Sequence, residues 1–377
     1  MTLWAAVVAL MAHTLMKLGT RAPYIFALIV FAAFFPLQGN YAIAMVKDSP
    51  FSLAVAALAP ILLRIWHSKG LVFKKPGFFT LALAIFVATG SLRNNGLLLL
   101  LLLIPLIAVI AKRARALAII CIVISTGLAI IPGKISEAKV GAHTYVESVG
   151  IPLQMIGHTF ANDASCFSDA ELNYFSDIQK PEKWAETYQP YCVDFIKDDP
   201  DFDKGFLQET KDEFPKHFVA ATKSCPTQFA TAYLLHTENY WSPFSFPVGE
   251  TEQSVFTSVA SNSFGGKEEL IQSLANRGVS NHSLLPGGIG DSLGKFWETA
   301  MAHAPGIGVW LWAALALLLA SIYKRRYEAI LIFIPMLVIW SSLLVASPYS
   351  APFRYVAFVI LTLPFAAAYL FGTLKAK

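Results

Sequence analysis

The sequence predicts an all-α polytopic membrane protein: about nine transmembrane helices, with one mainly helical extracytoplasmic domain inserted between the sixth and the seventh. Three observations predict it. Hydrophobic residues make up 55% of the 377-residue chain and charged residues only 14%, against about 25% charged in soluble domains. The apolar residues gather into nine runs. Lys and Arg are sorted by the side of those runs on which they fall.

The runs lie near 2–16, 23–37, 51–66, 78–92, 96–111, 116–132, 306–323, 328–346 and 355–372. Several are shorter than the ~20 residues that cross a bilayer, so their ends are soft by a few residues. Pro60, Pro105, Pro335 and Pro364 lie inside runs; a membrane helix tolerates Pro where neighbours re-satisfy the freed carbonyl. This divides the chain into helices one to six (1–132), the polar domain (133–305) and helices seven to nine (306–377).

Outside the polar domain there are 17 Lys and Arg but only two acids, Asp48 and Glu328. Threading the runs in order puts 14 of those bases in alternate loops on one face: Lys17, Arg21, Arg64, Lys69, Lys74, Lys75, Lys112, Arg113, Arg115, Lys324, Arg325, Arg326, Lys375 and Lys377. Cytoplasmic loops gather bases in this way. The expected location is therefore a cell (plasma) membrane, multi-pass, with the N-terminus and residues 133–305 outside and the C-terminus cytoplasmic. The polar domain carries 12 bases and 23 acids, a balance of −11, which argues against nucleic acid as a partner. Membrane lipid is the partner the composition requires.

Within the polar domain, Ser168-Asp-Ala-Glu171 has the capping-box pattern. Pro181-Glu182 suits a first helical turn. Residues 203–223 have helical apolar spacing that Pro215 would break or kink, and 227–240 give another helix. Residues 146–160 place Val149, Leu153 and Ile156 on one face, fit to lie along a membrane surface. The stretch 241–295 reads as loop with one helix near 266–276. Cys166, Cys192 and Cys225 permit one disulfide on the outer side, with three possible pairings. Asp199, Asp201 and Asp203 have a faint calcium-loop spacing but lack its Gly and terminal Glu, so no divalent metal is expected.

Three bases remain on the outer face against the charge bias: Lys47, Arg93 and Arg354. Arg93 stands in the short turn Arg93-Asn94-Asn95-Gly96, where Arg can grip a phosphate in bidentate fashion and the two Asn add hydrogen bonds. Arg354 opens the last run; alone it would pass for a snorkelling Arg, but with Lys47 and Arg93 on the same face it suits a mono- or diphosphate. Asp48 is the acid at the outer mouth of the membrane part and is the candidate general base on an acceptor hydroxyl. Tyr240 and Trp241, ending a helix, can stack on a sugar or rest among headgroups. Glu328 is expected to pair with Lys324 at i,i+4.

Four stretches taken together resemble a bacterial family of multi-pass membrane proteins similar to the GT-C glycosyltransferases, which use polyprenyl-phosphate sugars on the outer face. They are Tyr41 to Phe51 with Lys47-Asp48; Leu92-Arg93-Asn94-Asn95-Gly96; Gly150-Ile151-Pro152-Leu153-Gln154; and Tyr240-Trp241 followed by Pro352-Phe353-Arg354-Tyr355. The resemblance implies hexosyl or pentosyl transfer from a polyprenyl-phosphate sugar to a cell-envelope glycan acceptor. Asp48 would be catalytic; Lys47, Arg93, Asn94, Asn95 and Arg354 would bind phosphate; Tyr240, Trp241 and Gln154 would bind acceptor. GT-C enzymes carry their acid in the first external loop, and this chain has no acid before Asp48. The chain thus resembles the later portion of such an enzyme, and a second chain could supply the leading helices. Two rival readings are an O-antigen-type polymerase or ligase, which also pairs external arginines with a large external loop, and a non-enzymatic membrane-anchored binding protein.

Overall fold

The computed structural model describes residues 1–35, 47–140, 145–244, 272–273, 275–278, 288–302, 306–347 and 353–373. Lys375, Lys377, Pro352, residues 41–45 and most of 241–295 lie outside them. Of the helix expected near 266–276, residues 272, 273, 275 and 276 are described, and they are helical.

Over their described residues, the nine apolar runs lie chiefly on helices. These are α1 (Thr2–Lys17), α2 (Ala22–Phe34), α3 (Asp48–Ser68), α4 (Pro76–Leu92), α5 (Asn94–Ile110) and α6 (Arg115–Val140) before the polar segment. The polar segment contributes α7 (Gly150–Asn162), α8 (Asp169–Ile178), α9 (Pro181–Thr187), α10 (Asp194–Lys197), α11 (Lys204–Glu209), α12 (Phe214–Ser224), α13 (Pro226–Trp241) and α14 (Ile289–Ala302). Three apolar helices follow: α15 (Ile307–Tyr323), α16 (Ile330–Ala346) and α17 (Val359–Gly372). No strand occurs among the described residues; Thr20 and Thr373 form one isolated bridge. Among the described residues, three helical stretches are long and apolar enough to cross a membrane: Asp48–Ser68, Arg115–Ile135 and Tyr327–Ala346.

Burial ranks these helices. The apolar window of α3 is 83% buried, that of the α6 stretch only 28%. So α3 is the axis of the bundle and α6 lies at its rim. Leu117, Ile120, Val123, Ile124, Leu128 and Ile131 of α6 are exposed, a continuous apolar face that suits hydrocarbon better than water. Pro60, Pro105, Pro335 and Pro364 are all inside helices.

Several sequence expectations are corrected. Helix α6 does not stop at 132 but runs through Pro132 to Val140. Pro215 does break the helical pattern of 203–223: the stretch forms two helices, with Pro215 in the first turn of α12, because a first turn has no need of its N–H. Val149, Leu153 and Ile156 do not lie along a membrane surface; they are buried in the core of the polar segment with Phe175, Trp184 and Phe214. Asp203 caps α11 through Phe206 N, and Asp199 closes a turn onto Asp201 N, so backbone amides occupy both carboxylates. The capping box at Ser168 and Glu171 is present. Cys166 and Cys225 form the disulfide, tying the start of α8 to the start of α13.

Glu328 pairs with Arg326, not Lys324. Arg325 is left-handed (φ 54°), so the chain turns between α15 and α16 and no continuous helix sets Lys324 beside Glu328. Arg326 Nη1 also donates to the Thr373 carbonyl at 2.8 Å, Tyr369 Oη donates to Glu328 at 2.9 Å, and His67 Nε2 lies 3.0 Å from Tyr369 Oη. Arg21 N donates to Gly372 O, and Arg113 N to Lys69 O. These contacts gather Arg21, His67, Lys69, Arg113 and Arg326 at one end of the bundle. Helix α3 places Asp48 at the other end, about 30 Å away at 1.5 Å per residue.

The polar segment is fastened to the bundle by α13. Tyr240 is fully buried; its hydroxyl lies 2.7 Å from Ser347 Oγ, and its carbonyl accepts from Trp340 Nε1 at 3.1 Å. Trp312 Nε1 donates to the Trp241 carbonyl at 2.8 Å. Gly308 permits this docking, because a Cβ there would strike the Ser242 backbone.

Candidate functional site

The end of the bundle opposite the basic loops holds Asp48, Arg93 and Arg354, contributed by three different places in the chain. Asp48 opens α3, preceded by Lys47, which is exposed. Arg93 is the single residue between α4 and α5, in an extended conformation (φ −150°, ψ 147°). The expected Arg-Asn-Asn-Gly turn is therefore a one-residue corner, and Asn94, Asn95 and Gly96 already belong to α5. Gly96 serves close packing there: a Cβ would strike the Thr89 carbonyl and approach the Phe51 ring. Arg354 sits in a single 3-10 turn, Phe353–Tyr355, before α17.

Arg93 Nη1 lies 3.0 Å from Asp48 Oδ1, and Arg354 Nε lies 3.7 Å from Asp48 Oδ2. The Asp48 side chain is 8% exposed, against 16% for Arg93 and 25% for Arg354. Asp48 Oδ1 nonetheless makes no hydrogen bond of good geometry, so the contact to Arg93 is one of charge. Two guanidiniums face one carboxylate, and the cluster carries a net positive charge in a water-poor place, which favours an anion.

Tyr355 is a site residue that the sequence reading placed in a motif but gave no role. It is buried, with the Arg93 guanidinium 3.9 Å from its ring centroid and that of Arg354 5.1 Å away. The ring is thus a shelf for both cations. Its signal was the adjacency Arg354-Tyr355, but nothing in sequence spacing brings Arg93 to it.

Asn94 and Asn95 line a cleft of about 540 Å³ between α5 and α16, continued by Leu98, Leu102, Leu337, Val338 and Val345 with Ser341 and Ser342. The cleft has polar groups where it borders the corner at Arg93 and aliphatic walls beyond.

Residues 1–241 match the model of one protein family, described as a family of unknown function (DUF6020). The chain belongs to this family. No curated protein and no solved structure matches it. The region this family shares includes Asp48, Arg93, Asn94 and Asn95 but stops short of Arg354 and Tyr355.

The residues expected to bind acceptor are not brought to this cluster. Tyr240 is buried against Trp340 and Ser347 and joins the polar segment to the bundle. Gln154 is 1% exposed and donates through Nε2 to the Gln189 carbonyl at 2.9 Å. Trp241 keeps a partly exposed ring, with Nε1 directed at Thr237 Oγ1. Of the three, Trp241 alone presents a surface. Tyr240 and Gln154 took their sequence signal from aromatic and amide character, which buried anchors share with ligand contacts.

His236 is a further buried polar group between segment and bundle. Its Nδ1 lies 3.1 Å from the Pro190 carbonyl and its Nε2 2.9 Å from the Ser347 carbonyl. Burial holds its pKa below the ordinary histidine value, against the pull of those two carbonyls.

Proposed function

We propose that this chain is a nine-span protein of the bacterial cell membrane that binds a phosphate-bearing polyprenyl lipid on the outer face and, in the manner of GT-C enzymes, transfers its sugar to a cell-envelope acceptor. The observation that carries this reading is the meeting of Arg93 and Arg354 over one acid and one aromatic ring, beside a cleft with a polar border and aliphatic walls. Such a site has the parts a prenyl phosphate needs: cations for the head and apolar walls for the chain. The separation of Asp48 from the basic end supports the orientation, with the cluster and residues 133–305 outside. The six apolar helices of 10–17 residues would complete the spans. The domain layout follows the division 1–132, 133–305 and 306–377, except that the sixth helix extends past the first boundary to Val140.

In the transfer, an acceptor hydroxyl attacks the anomeric carbon, the bond from that carbon to the phosphate oxygen breaks, and the phosphate leaves with the electron pair. Arg93 and Arg354 stabilise the departing charge. Asp48 takes the acceptor proton. In the unliganded cluster the guanidiniums hold Asp48.

The contact of Asp48 with both guanidiniums also favours a second reading, a lipid-phosphate binding protein in which Asp48 only positions the arginines. Arg93→Ala should abolish retention of polyprenyl phosphate by the purified protein; unchanged retention removes the clamp. Asp48→Asn then separates the readings: a transferase loses turnover, whereas a binder keeps its ligand. Comparing monosaccharide-phosphate with oligosaccharide-diphosphate lipids as donors distinguishes a GT-C transferase from an O-antigen-type polymerase.

A further inference from the structure

Serine and threonine buried in apolar helices normally spend their hydroxyl on the carbonyl four residues back. Thr89, Ser125, Ser321 and Thr362 do this, at 2.8, 2.7, 2.8 and 2.9 Å. Ser52 does not, and Ser49, in the first turn of α3, has no carbonyl of that helix four residues back. Ser49 and Ser52 are 5% and 2% exposed, and neither hydroxyl has a hydrogen-bond partner. Both lie in the first two turns of α3, beside Asp48, whose Oδ1 is also without a hydrogen bond. At about 100° per residue, Ser52 is roughly 40° around the helix from Asp48 and Ser49 roughly 100°. The three side chains thus occupy one continuous arc at the N-terminal end of a 21-residue helix. Thr14 Oγ1 is unpartnered too, but it belongs to the last turn of α1, near Lys17.

An unmet hydroxyl inside a protein is costly, and two of them on the arc of the one acid in the cation cluster call for a functional reason. We infer that Ser49 and Ser52 are binding residues of this site, and that with Arg93 and Arg354 they take a tetrahedral oxyanion, the phosphate of a phosphate ester. This rests on the phosphate reading above and names two residues and a ligand geometry it did not include. A planar carboxylate would be saturated by two guanidinium forks. A phosphate has oxygens pointing in further directions, which hydroxyl donors can meet. The N-terminal end of α3 adds its own partial positive charge.

The test uses the full-length protein purified in detergent, titrated with inorganic phosphate and with farnesyl phosphate, and the thermal midpoint of each variant without ligand. Ser49→Ala and Ser52→Ala should leave that midpoint unchanged or raise it, because each removes an unmet buried hydroxyl. Each should weaken phosphate binding about tenfold, the scale of one hydrogen bond to a charged oxygen. Ser52→Thr, which keeps the hydroxyl, should bind as the wild type does. If the wild type binds and both Ala variants bind equally well, the serines serve an internal water only and the inference falls while the arginine clamp stands. A midpoint lowered by several degrees in the Ala variants would show structural partners and also overturn it. If the wild type binds neither probe, the phosphate reading itself fails. Response to farnesyl phosphate but not to inorganic phosphate would assign the anion to a lipid headgroup.

Discussion

At the scale of single residues, the cation cluster depends on an aromatic ring as much as on its charges. Arg93 stacks 3.9 Å above Tyr355 while touching Asp48, so the ring fixes where the guanidinium points. A cation over an aromatic face is worth about 0.5–2 kcal/mol. Tyr355→Leu should therefore weaken polyprenyl-phosphate retention several-fold, whereas Tyr355→Phe, which keeps the ring, should retain it. Arg93→Lys should fall with the Leu variant, because an ammonium neither forks nor stacks as a guanidinium does; retention by Arg93→Lys at the wild-type level would leave the stacking without a role. Arg93 and Arg354 were legible in the sequence as bases on the wrong side of the apolar runs, and Asp48 as the acid beside them. Tyr355, Ser49 and Ser52 were not, because their part in the cluster depends on burial and on missing partners, which spacing does not reveal.

At the scale of elements, two helical glycines, each followed by Leu, behave in opposite ways. Gly96 lies in the first turn of α5, where a Cβ would strike the Thr89 carbonyl of α4, whereas Gly127 in α6 has open space around it. Gly96→Ala should lower stability by about 1–3 kcal/mol through overpacking of the corner that holds Arg93. Gly127→Ala should raise it by roughly 0.5–1 kcal/mol, since Ala loses less entropy in a helix. Thermal unfolding in detergent checks both signs. The Asn-Gly pair in the sequence pointed to a turn, and the corner is there, but it is made by Arg93 alone. The helix period and the turn dipeptide compete at this position, and helix packing across the corner decides between them.

At the scale of the whole molecule, buried histidines lie within the polar segment, at His158, and at its junction with the bundle, at His236. His158, with Nδ1 3.0 Å from Tyr188 Oη, and His236, between two carbonyls, both have pKa values lowered chiefly by burial. A histidine kept neutral in the fold takes up its proton more readily when unfolded. Its contribution is therefore present above the unfolded value, about 6.5, and is lost as pH falls from there through the folded value. The thermal midpoint should drop between pH 7 and pH 5, and His236→Gln should flatten that dependence. A midpoint independent of pH in this window would mean that these rings do not carry the junction. Lys197 acts in the other direction. Despite its burial, Asp194 and Glu147 hold its pKa above the usual lysine value, so its share of stability persists until alkaline pH.

The sequence by itself determined the helical class, the positions of the apolar helices, the acidic stretch between them and the three bases set apart from the rest with their one acid. These follow from composition and from the order of charges along the chain, and both are local properties. Tertiary structure decided the rest. It brought residues 48, 93 and 354 to within ion-pair distance, paired Cys166 with Cys225, turned Tyr240 and Gln154 from expected ligand contacts into buried anchors, and gave Glu328 to Arg326. Each of these is a choice among partners far apart in sequence, and it is made by packing that brings together chain ends, corners and helix faces whose separation along the chain carries no distance information.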